Sequence, residues 1–126
     1  MASSVLIQFI QRLQATPSSV TFVEVIDLIN THYEFTPTRF TNGLDSTGLG
    51  HSRVVNEQGT NEGSCRIFAF AQLQQLTEEQ TLHCFGDYYR QDVLANPNGD
   101  DHGNIRAFMR DGWAGVVFDQ PALALK

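Results

Sequence analysis

The chain reads SCRIFAFAQL from Ser64 to Leu73, and this stretch decides the fold. Apolar side chains would point in nearly every direction around a helix formed by it; they are Cys65, Ile67, Phe68, Phe70, Ala71 and Leu73. A helix that is hydrophobic all round has to be covered by other elements. The stretch therefore predicts a central, buried helix against which the rest of the chain packs.

Two amphipathic helices are predicted on the N-terminal side of this stretch. The first spans Ser4 to Ala15, and one face of it carries Val5, Leu6, Phe9, Ile10 and Leu13. The second opens at Thr21, because Thr21 and Glu24 have the spacing of a capping box, and it ends near His32. Pro17 separates the two helices.

Extended and loop segments are predicted between the second helix and the central one. Residues 33–41 should be extended, because Pro37 forbids an interior helix there. Leu44 to Ser52 is rich in glycine and has no periodicity, which predicts a loop. Residues 53–56 predict a short strand that pairs with the earlier extended segment, and residues 59–63 predict another loop.

A further helix is predicted on the C-terminal side, where Thr77 and Gln80 have capping-box spacing. Its apolar stripe consists of Leu82, Phe85, Tyr89 and Val93. The turn residues Asn96-Pro97-Asn98-Gly99 should end it.

The last part of the chain predicts one more helix and one strand. Asp100 or Asp101 should cap a short helix through Met109, with Gly112 directly after its C-terminus. Residues 113–118 predict a final strand with a bulge or a close backbone approach at Gly115, and the residues after it are expected to fray.

Together these patterns predict an α+β fold. The chain should form a mostly helical single domain over residues 1–126, with about five helices and a small two- or three-stranded antiparallel sheet. A length of 126 residues is enough for one hydrophobic core without metal or disulfide support.

Composition and charge exclude several classes of function. The net charge is −6 with only eight Lys and Arg, so an acidic surface would repel a nucleic-acid backbone. The apolar runs are too short to span a membrane, and the N-terminus has no secretory signal pattern, which favours a cytoplasmic protein. No metal-ligand spacing and no cofactor motif is present, and the loop at residues 96–104 fails the EF-hand pattern.

Cys65 is the sharpest candidate for chemistry in the sequence. It follows Gly63-Ser64 at the start of a predicted helix, where backbone amides favour a thiolate. A nucleophilic cysteine would need a base such as His102, with His83, His51 and His32 as alternatives, and an orienting group from Asn104, Asp87 or Asp92. The alternative is that Cys65 is only a small packing residue of the central helix.

A second polar set lies around two tyrosines. Asp87 and Arg90 are three residues apart and can pair on one helical face beside Tyr88 and Tyr89. Such a pair could bind a polar ligand, or it could be an ordinary surface ion pair.

Several segments run in the order found in one known family, and the chain resembles the HopJ type III effector family. These segments, which extend from about Phe9 to Phe118, are Tyr33 to Thr38, Asn42-Gly43, Asn61 to Cys65, Phe68 to Ala71, Cys84 to Arg90, Asp101-His102, Asn104 to Arg106, Phe108-Met109 and Gly112 to Gly115. The resemblance implies a single HopJ-like domain, and its name implies delivery by bacteria into a host cell. It implies no particular reaction, cofactor or catalytic residue. Leu44 to Ser52 looks like an insertion relative to the family.

Two functions follow from these observations. The first is a binding module in which a polar pocket formed by Asn61, Asp87, Tyr88, Arg90 and Asn104 holds an unknown small molecule or protein segment. The second is a small cysteine-dependent hydrolase or transferase with Cys65 as nucleophile and His102 as base. Neither requires a metal, a cofactor, nucleic acid or a membrane. The expected location is the cytoplasm, or a host cell if the effector name applies.

Overall fold

The computed structural model describes residues 4–44 and 53–126, and the predicted central helix lies in the middle of its core. The helices are α1 (Ser4–Ala15), α2 (Phe22–His32), α3 (Glu62–Leu73), α4 (Glu78–His83), a π-helix (Tyr88–Val93) and α5 (Gly103–Asp111). The strands are β1 (Tyr33–Phe35), β2 (Phe40–Asn42), β3 (Val54–Asn56), β4 (Val117–Phe118) and β5 (Leu123–Leu125). This architecture confirms a mostly helical α+β domain.

Helix α3 is the buried element that its sequence predicts. Phe68 is fully buried, and its ring lies 5.0–6.3 Å from the rings of Phe40, Phe85, Phe108 and Trp113. Aromatic pairs at such distances add to the free energy gained by burial. The helix begins at Glu62, two residues before the predicted start, so residues 62 and 63 belong to its first turn and not to a loop.

Both predicted capping boxes are present. At the start of α2, the Thr21 amide donates to Glu24 Oε2 at 2.8 Å, and the Glu24 amide donates to Thr21 Oγ1 at 3.3 Å. Thr77 and Gln80 make the same reciprocal bonds at the start of α4. These side chains satisfy amides that have no partner inside the helix.

The strands form two antiparallel sheets where the sequence predicted one. Strand β2 pairs with β3 and β4, and this confirms the predicted pairing of residues 53–56 with the preceding extended segment. Strand β1 pairs with β5, with Phe35 opposite Leu123. The prediction that the last residues fray is wrong, because Ala122 and Leu123 are buried and the Lys126 amide donates to the His32 carbonyl at 3.0 Å.

The predicted strand over residues 113–118 is wrong for most of its length. Residues Gly112–Gly115 form a 3-10 helix, and only Val117–Phe118 is a strand. The helical turn lets the Trp113 ring pack against Phe108, while its indole nitrogen donates to the Leu76 carbonyl at 3.2 Å. The close approach expected at Gly115 is confirmed, since an added Cβ would lie 2.7 Å from backbone atoms of Gly43.

The single helix predicted over residues 78–93 is interrupted. Helix α4 ends at His83, Gly86 adopts a φ of +61°, and the chain continues as a π-helix. A Cβ at Gly86 would lie 2.7 Å from the Phe22 backbone nitrogen, so the interruption brings this turn against the start of α2.

The start of α5 also differs from the prediction. The N-cap residue is His102, with a φ of +51°, and neither Asp100 nor Asp101 caps the helix. Asp101 instead accepts from Arg106 at 2.6 Å. Gly112 follows the helix with a φ of +64°, as predicted for its position.

Two further observations complete the fold. Residues 45–52, which hold most of the predicted Leu44 to Ser52 loop and its proposed insertion, lie outside the described residues. No helix within the described ranges combines the length and the hydrophobicity needed to cross a membrane.

Candidate functional site

A pocket of about 490 Å³ lies where the N-termini of α3 and α5 meet. We call it the α3–α5 pocket. Its polar lining consists of Asn61, Ser64, Tyr88, His102 and Asn104, and its apolar lining includes Phe22, Val54, Phe85 and Ile105. The pocket therefore combines a wall of aromatic and aliphatic groups with a concentrated set of polar ones, which is the usual make-up of a small-molecule site.

The two helix starts give this pocket a surplus of hydrogen-bond donors. Both N-cap residues, Asn61 and His102, adopt left-handed backbone conformations, and neither side chain caps its helix. The first intrahelical bonds run from Cys65 to Asn61 at 3.0 Å and from Arg106 to His102 at 3.1 Å. Residues 63–64 and 103–105 come before these donors and line the pocket, and their amides have no partner inside their helices. They are available to a ligand that carries hydrogen-bond acceptors.

Four asparagines hold the polar side of the pocket in place. We call Asn42, Asn56, Asn61 and Asn104 the asparagine cluster. The Asn104 Nδ2 donates to Asn56 Oδ1 at 2.8 Å, and Asn61 Nδ2 donates to the same oxygen at 2.7 Å. Asn104 Oδ1 accepts from Asn42 at 3.1 Å and from Asn56 at 3.0 Å. The cluster ties both helix starts to strands β2 and β3.

Three members of the cluster, Asn42, Asn56 and Asn104, are buried, and Asn61 is exposed. Asn42 and Asn56 are 0% exposed, and Asn42 Oδ1 has no hydrogen-bond partner among the described residues. Buried amides of this kind are costly unless they are paired, so the network fixes the geometry of its members. Sequence reasoning missed both strand residues. Asparagine is unfavourable in strands, so Asn56 in the predicted strand at residues 53–56 was an available signal, whereas Asn42 lies just outside the predicted extended segment.

His102 is held by an acidic residue from the π-helix. Its Nε2 lies 3.0 Å from Asp92 Oδ2 and 3.8 Å from Asp101 Oδ2, and its ring lies 5.2 Å from the Tyr88 ring. The contact with Asp92 fixes the orientation of the imidazole. Because a carboxylate can only accept a hydrogen bond, Nε2 is the ring nitrogen that donates in this contact. The π-helix therefore supplies two of the groups that position His102, and such helices are common at functional sites.

Cys65 lies in the core and is not a lining residue of the α3–α5 pocket. It is 1% exposed, and its Sγ donates to the Thr38 carbonyl at 3.6 Å. Burial raises the pKa of the Cys65 thiol, which disfavours the thiolate that a nucleophile needs. In the described part of the chain no hydrogen bond joins Cys65 to a histidine. The geometry favours the packing interpretation over the nucleophile.

Arg90 is not a lining residue of the α3–α5 pocket, and its side chain binds backbone carbonyls instead. Its guanidinium donates to the carbonyls of Pro17, Val20 and His83, and it also contacts His83 Nδ1 at 3.2 Å. Burial and the nearby Arg90 charge lower the pKa of His83. Arg90 thus connects the π-helix to the chain before α2, and the hydrogen bonds of the described residues include none between it and Asp87.

Asp87 lines a second, smaller pocket of about 300 Å³ together with Thr21, Phe22, Val23 and Tyr88. We call it the Asp87 pocket. It adjoins the α3–α5 pocket, because Phe22 and Tyr88 line both. Their rings form an edge-to-face pair with centroids 5.1 Å apart.

The structure brings most of the predicted site residues to one side of the molecule. Asn61, Tyr88, His102 and Asn104 line the α3–α5 pocket, and Asp87 lines the adjoining one. Cys65 and Arg90 lie elsewhere. Ser64 and Phe22 were not predicted as site residues, because both also fit the patterns of the helices in which they lie. Within residues 4–44 and 53–126, no three His, Cys, Asp or Glu side chains are arranged to hold a metal ion.

Comparison with known proteins agrees with the resemblance seen in the sequence. The family model described as HopJ type III effector protein matches residues 6–123. The chain belongs to the HopJ type III effector family. The match runs from Leu6 in α1 to Leu123, the first residue of β5, so the HopJ family model covers both pockets.

A solved structure shares this HopJ fold. The chain is similar to the protein in "Crystal structure of unknown function protein VPA0580", with 43% sequence identity and a TM-score of 0.87. The similarity covers 96% of this chain and 93% of that one. A search of curated proteins found no match.

Proposed function

We propose that this HopJ-family chain is a binding module whose α3–α5 pocket holds a small molecule. The observation that carries the proposal is the convergence of Asn61, Ser64, Tyr88, His102 and Asn104 on one cavity beside an apolar wall. The free amides of the helix starts add donors on the same side. The ligand should present a hydrogen-bond acceptor such as a carboxylate to these donors, and an apolar group to Phe22 and Phe85.

Binding is favoured over cysteine-dependent catalysis by the position of the thiol. A nucleophile has to reach its substrate, whereas Cys65 is buried and its pKa is raised by that burial. Cys84 is also buried, and burial raises its pKa to about 12. Neither thiol is among the lining residues of the α3–α5 pocket.

Titration with phenylacetate, monitored by amide NMR, tests the proposal. Phenylacetate combines a carboxylate with one aromatic ring, and saturable shifts are expected at the amides of Gly63, Ser64, Gly103 and Asn104. His102→Gln should weaken this binding roughly three- to tenfold, because it removes an imidazole ring from the pocket lining and lost apolar contact of that size costs about 1 kcal/mol. His32→Gln, which changes a histidine at the far end of α2, should have no effect. Shifts that do not saturate, or that are unchanged in His102→Gln, would contradict the proposal.

The family description leads to a second proposal, which concerns location. The HopJ description names a type III effector, and we propose that the chain acts in a host cell after delivery by such a system. A fusion of the full chain to a reporter enzyme that is active only in host cytoplasm tests this. Signal should require a functional secretion apparatus in the donor strain, and signal without it would contradict delivery.

A further inference from the structure

We infer that the ligand of this module is a small zwitterion, such as a short peptide with free termini. The inference rests on the proposed function, since it assigns the carboxylate of the ligand to the α3–α5 pocket. It adds a second subsite, the Asp87 pocket, which would take an ammonium group. Together the two pockets would select a molecule with opposite charges at its two ends.

The carboxylate of Asp87 is available for such a contact. Its neighbour in helical spacing, Arg90, is committed to the carbonyls of Pro17, Val20 and His83. Asp87 itself is exposed, and in the described part of the chain no side-chain hydrogen bond or ion pair engages it. The sequence alone suggested that Asp87 and Arg90 pair. Because the fold uses Arg90 elsewhere, the acidic group is left facing solvent at the edge of a pocket.

Two aromatic rings beside Asp87 favour the same kind of group. Phe22 and Tyr88 line the Asp87 pocket, and Tyr88 is 45% exposed. The faces of aromatic rings attract cations, and a carboxylate next to them adds a direct charge interaction. An ammonium group is therefore the natural occupant of this pocket.

The opposite end of the site has the opposite character. The α3–α5 pocket is lined by the first residues of α3 and α5, whose amides have no partner inside their helices, with Asn61 and Asn104 fixed by the asparagine cluster. Hydrogen-bond donors therefore line one pocket, and a carboxylate lines the other. The two pockets share Phe22 and Tyr88 as lining residues, and we use peptides of two and three residues, which span about 7 to 10 Å when extended, to test whether one ligand reaches both.

Three versions of one dipeptide separate the two ends in a calorimetric titration. Ala-Phe carries both charges, N-acetyl-Ala-Phe lacks the ammonium group, and Ala-Phe amide lacks the carboxylate. Ala-Phe should bind roughly fivefold more tightly than N-acetyl-Ala-Phe, which is the effect expected of an exposed ion pair with a cation–π contact. Ala-Ala-Phe and its acetylated form repeat the comparison at the longer reach.

Asp87→Asn supplies the decisive comparison. It should reduce the affinity for Ala-Phe to that for N-acetyl-Ala-Phe and leave the affinity for N-acetyl-Ala-Phe unchanged. Asp27→Asn removes the same charge from an exposed position on α2 outside both pockets and should change neither affinity.

The outcomes distinguish this inference from the proposed function. Equal binding of Ala-Phe and N-acetyl-Ala-Phe at both peptide lengths, unaffected by Asp87→Asn, would overturn the ammonium subsite. The α3–α5 pocket would still stand if Ala-Phe amide bound more weakly than either. Absence of binding by all of the peptides would overturn both.

Discussion

The roles of individual side chains in this protein depend on their surroundings more than on their residue type. Asn104 and Cys65 both lie on helices next to the candidate site, and both could be assigned chemistry from sequence. In the structure Asn104 bonds to the side chains of Asn42 and Asn56, whereas the Cys65 thiol reaches only a backbone carbonyl. The difference leads to a separate prediction for each residue.

Asn104→Ala should strongly destabilise the fold. The change removes the carboxamide that bonds to the fully buried Asn42 and Asn56, and each buried polar group left unsatisfied costs about 1–3 kcal/mol. We expect the free energy of unfolding in urea to fall by about 2–4 kcal/mol. Asn98→Ala, at an exposed turn position, should change it by under about 0.5 kcal/mol. Similar losses for the two variants would show that the asparagine cluster contributes little.

The two cysteines should resist alkylation in the folded state even at alkaline pH. Burial raises the pKa of both thiols, for Cys84 to about 12, so each forms thiolate less readily in the folded protein than in the unfolded chain. Unfolded thiols ionise at about pH 8.5, so folding stability should decrease as the pH rises above that value. Peptide mapping after iodoacetamide treatment, with and without urea, checks both sites in the unmodified protein. Rapid labelling of folded Cys65 at pH 8 would revive its interpretation as a nucleophile.

At the scale of elements, the connection between α4 and the π-helix sets up the candidate site. The turn at Gly86 brings this segment against the start of α2, and the π-helix that follows provides Tyr88 and Asp92 to His102. A continuous helix from residue 78 to residue 93 would not have this turn. The glycine is therefore a structural requirement of the pocket as well as of the fold.

Gly86→Ala should destabilise the protein and also disturb the pocket. The new methyl group would need a left-handed conformation, which costs about 1–2 kcal/mol, and would lie 2.7 Å from the Phe22 nitrogen. Gly59→Ala is a matched control, because Gly59 has a φ of +87° and open space around it. Urea denaturation should show a larger loss for Gly86→Ala by at least about 1 kcal/mol. Equal losses would mean that the contact with Phe22 imposes no constraint.

At the scale of the whole molecule, the sequence predicts the helices better than their assembly. The periodic patterns of α1, α2 and α3 and the two capping boxes gave their positions, because these signals are local. The stripe from Leu82 to Val93 continued across Gly86, so the interruption could not be seen. Strand β5 was missed because its burial depends on pairing with β1, about 90 positions earlier in the chain.

The candidate site shows the same division between local and long-range information. Residue types pointed to Asn61, Tyr88, His102 and Asn104, but their meeting depends on the packing of α3 against α5 and the π-helix. Arg90 was misplaced because helical spacing alone cannot show that distant carbonyls compete for its guanidinium. The partners of the site, Asn42 and Asn56, are joined to Asn104 across 62 and 48 positions.

The asparagine cluster joins the starts of α3 and α5 to strands β2 and β3 through side-chain hydrogen bonds. Opening any part of it exposes buried amides, so β2, β3 and the first turns of α3 and α5 should open together in one cooperative fluctuation. A molecule seated between the helix starts would suppress that fluctuation in all of these elements. Hydrogen exchange at the backbone amides of Asn42 and Asn56 should then slow on addition of Ala-Phe, although neither residue lines the pocket. Exchange in β2 and β3 would then reveal whether the α3–α5 pocket is occupied. If exchange at Asn42 and Asn56 stayed the same while Ala-Phe saturated the pocket, the helix starts and the strands would fluctuate independently.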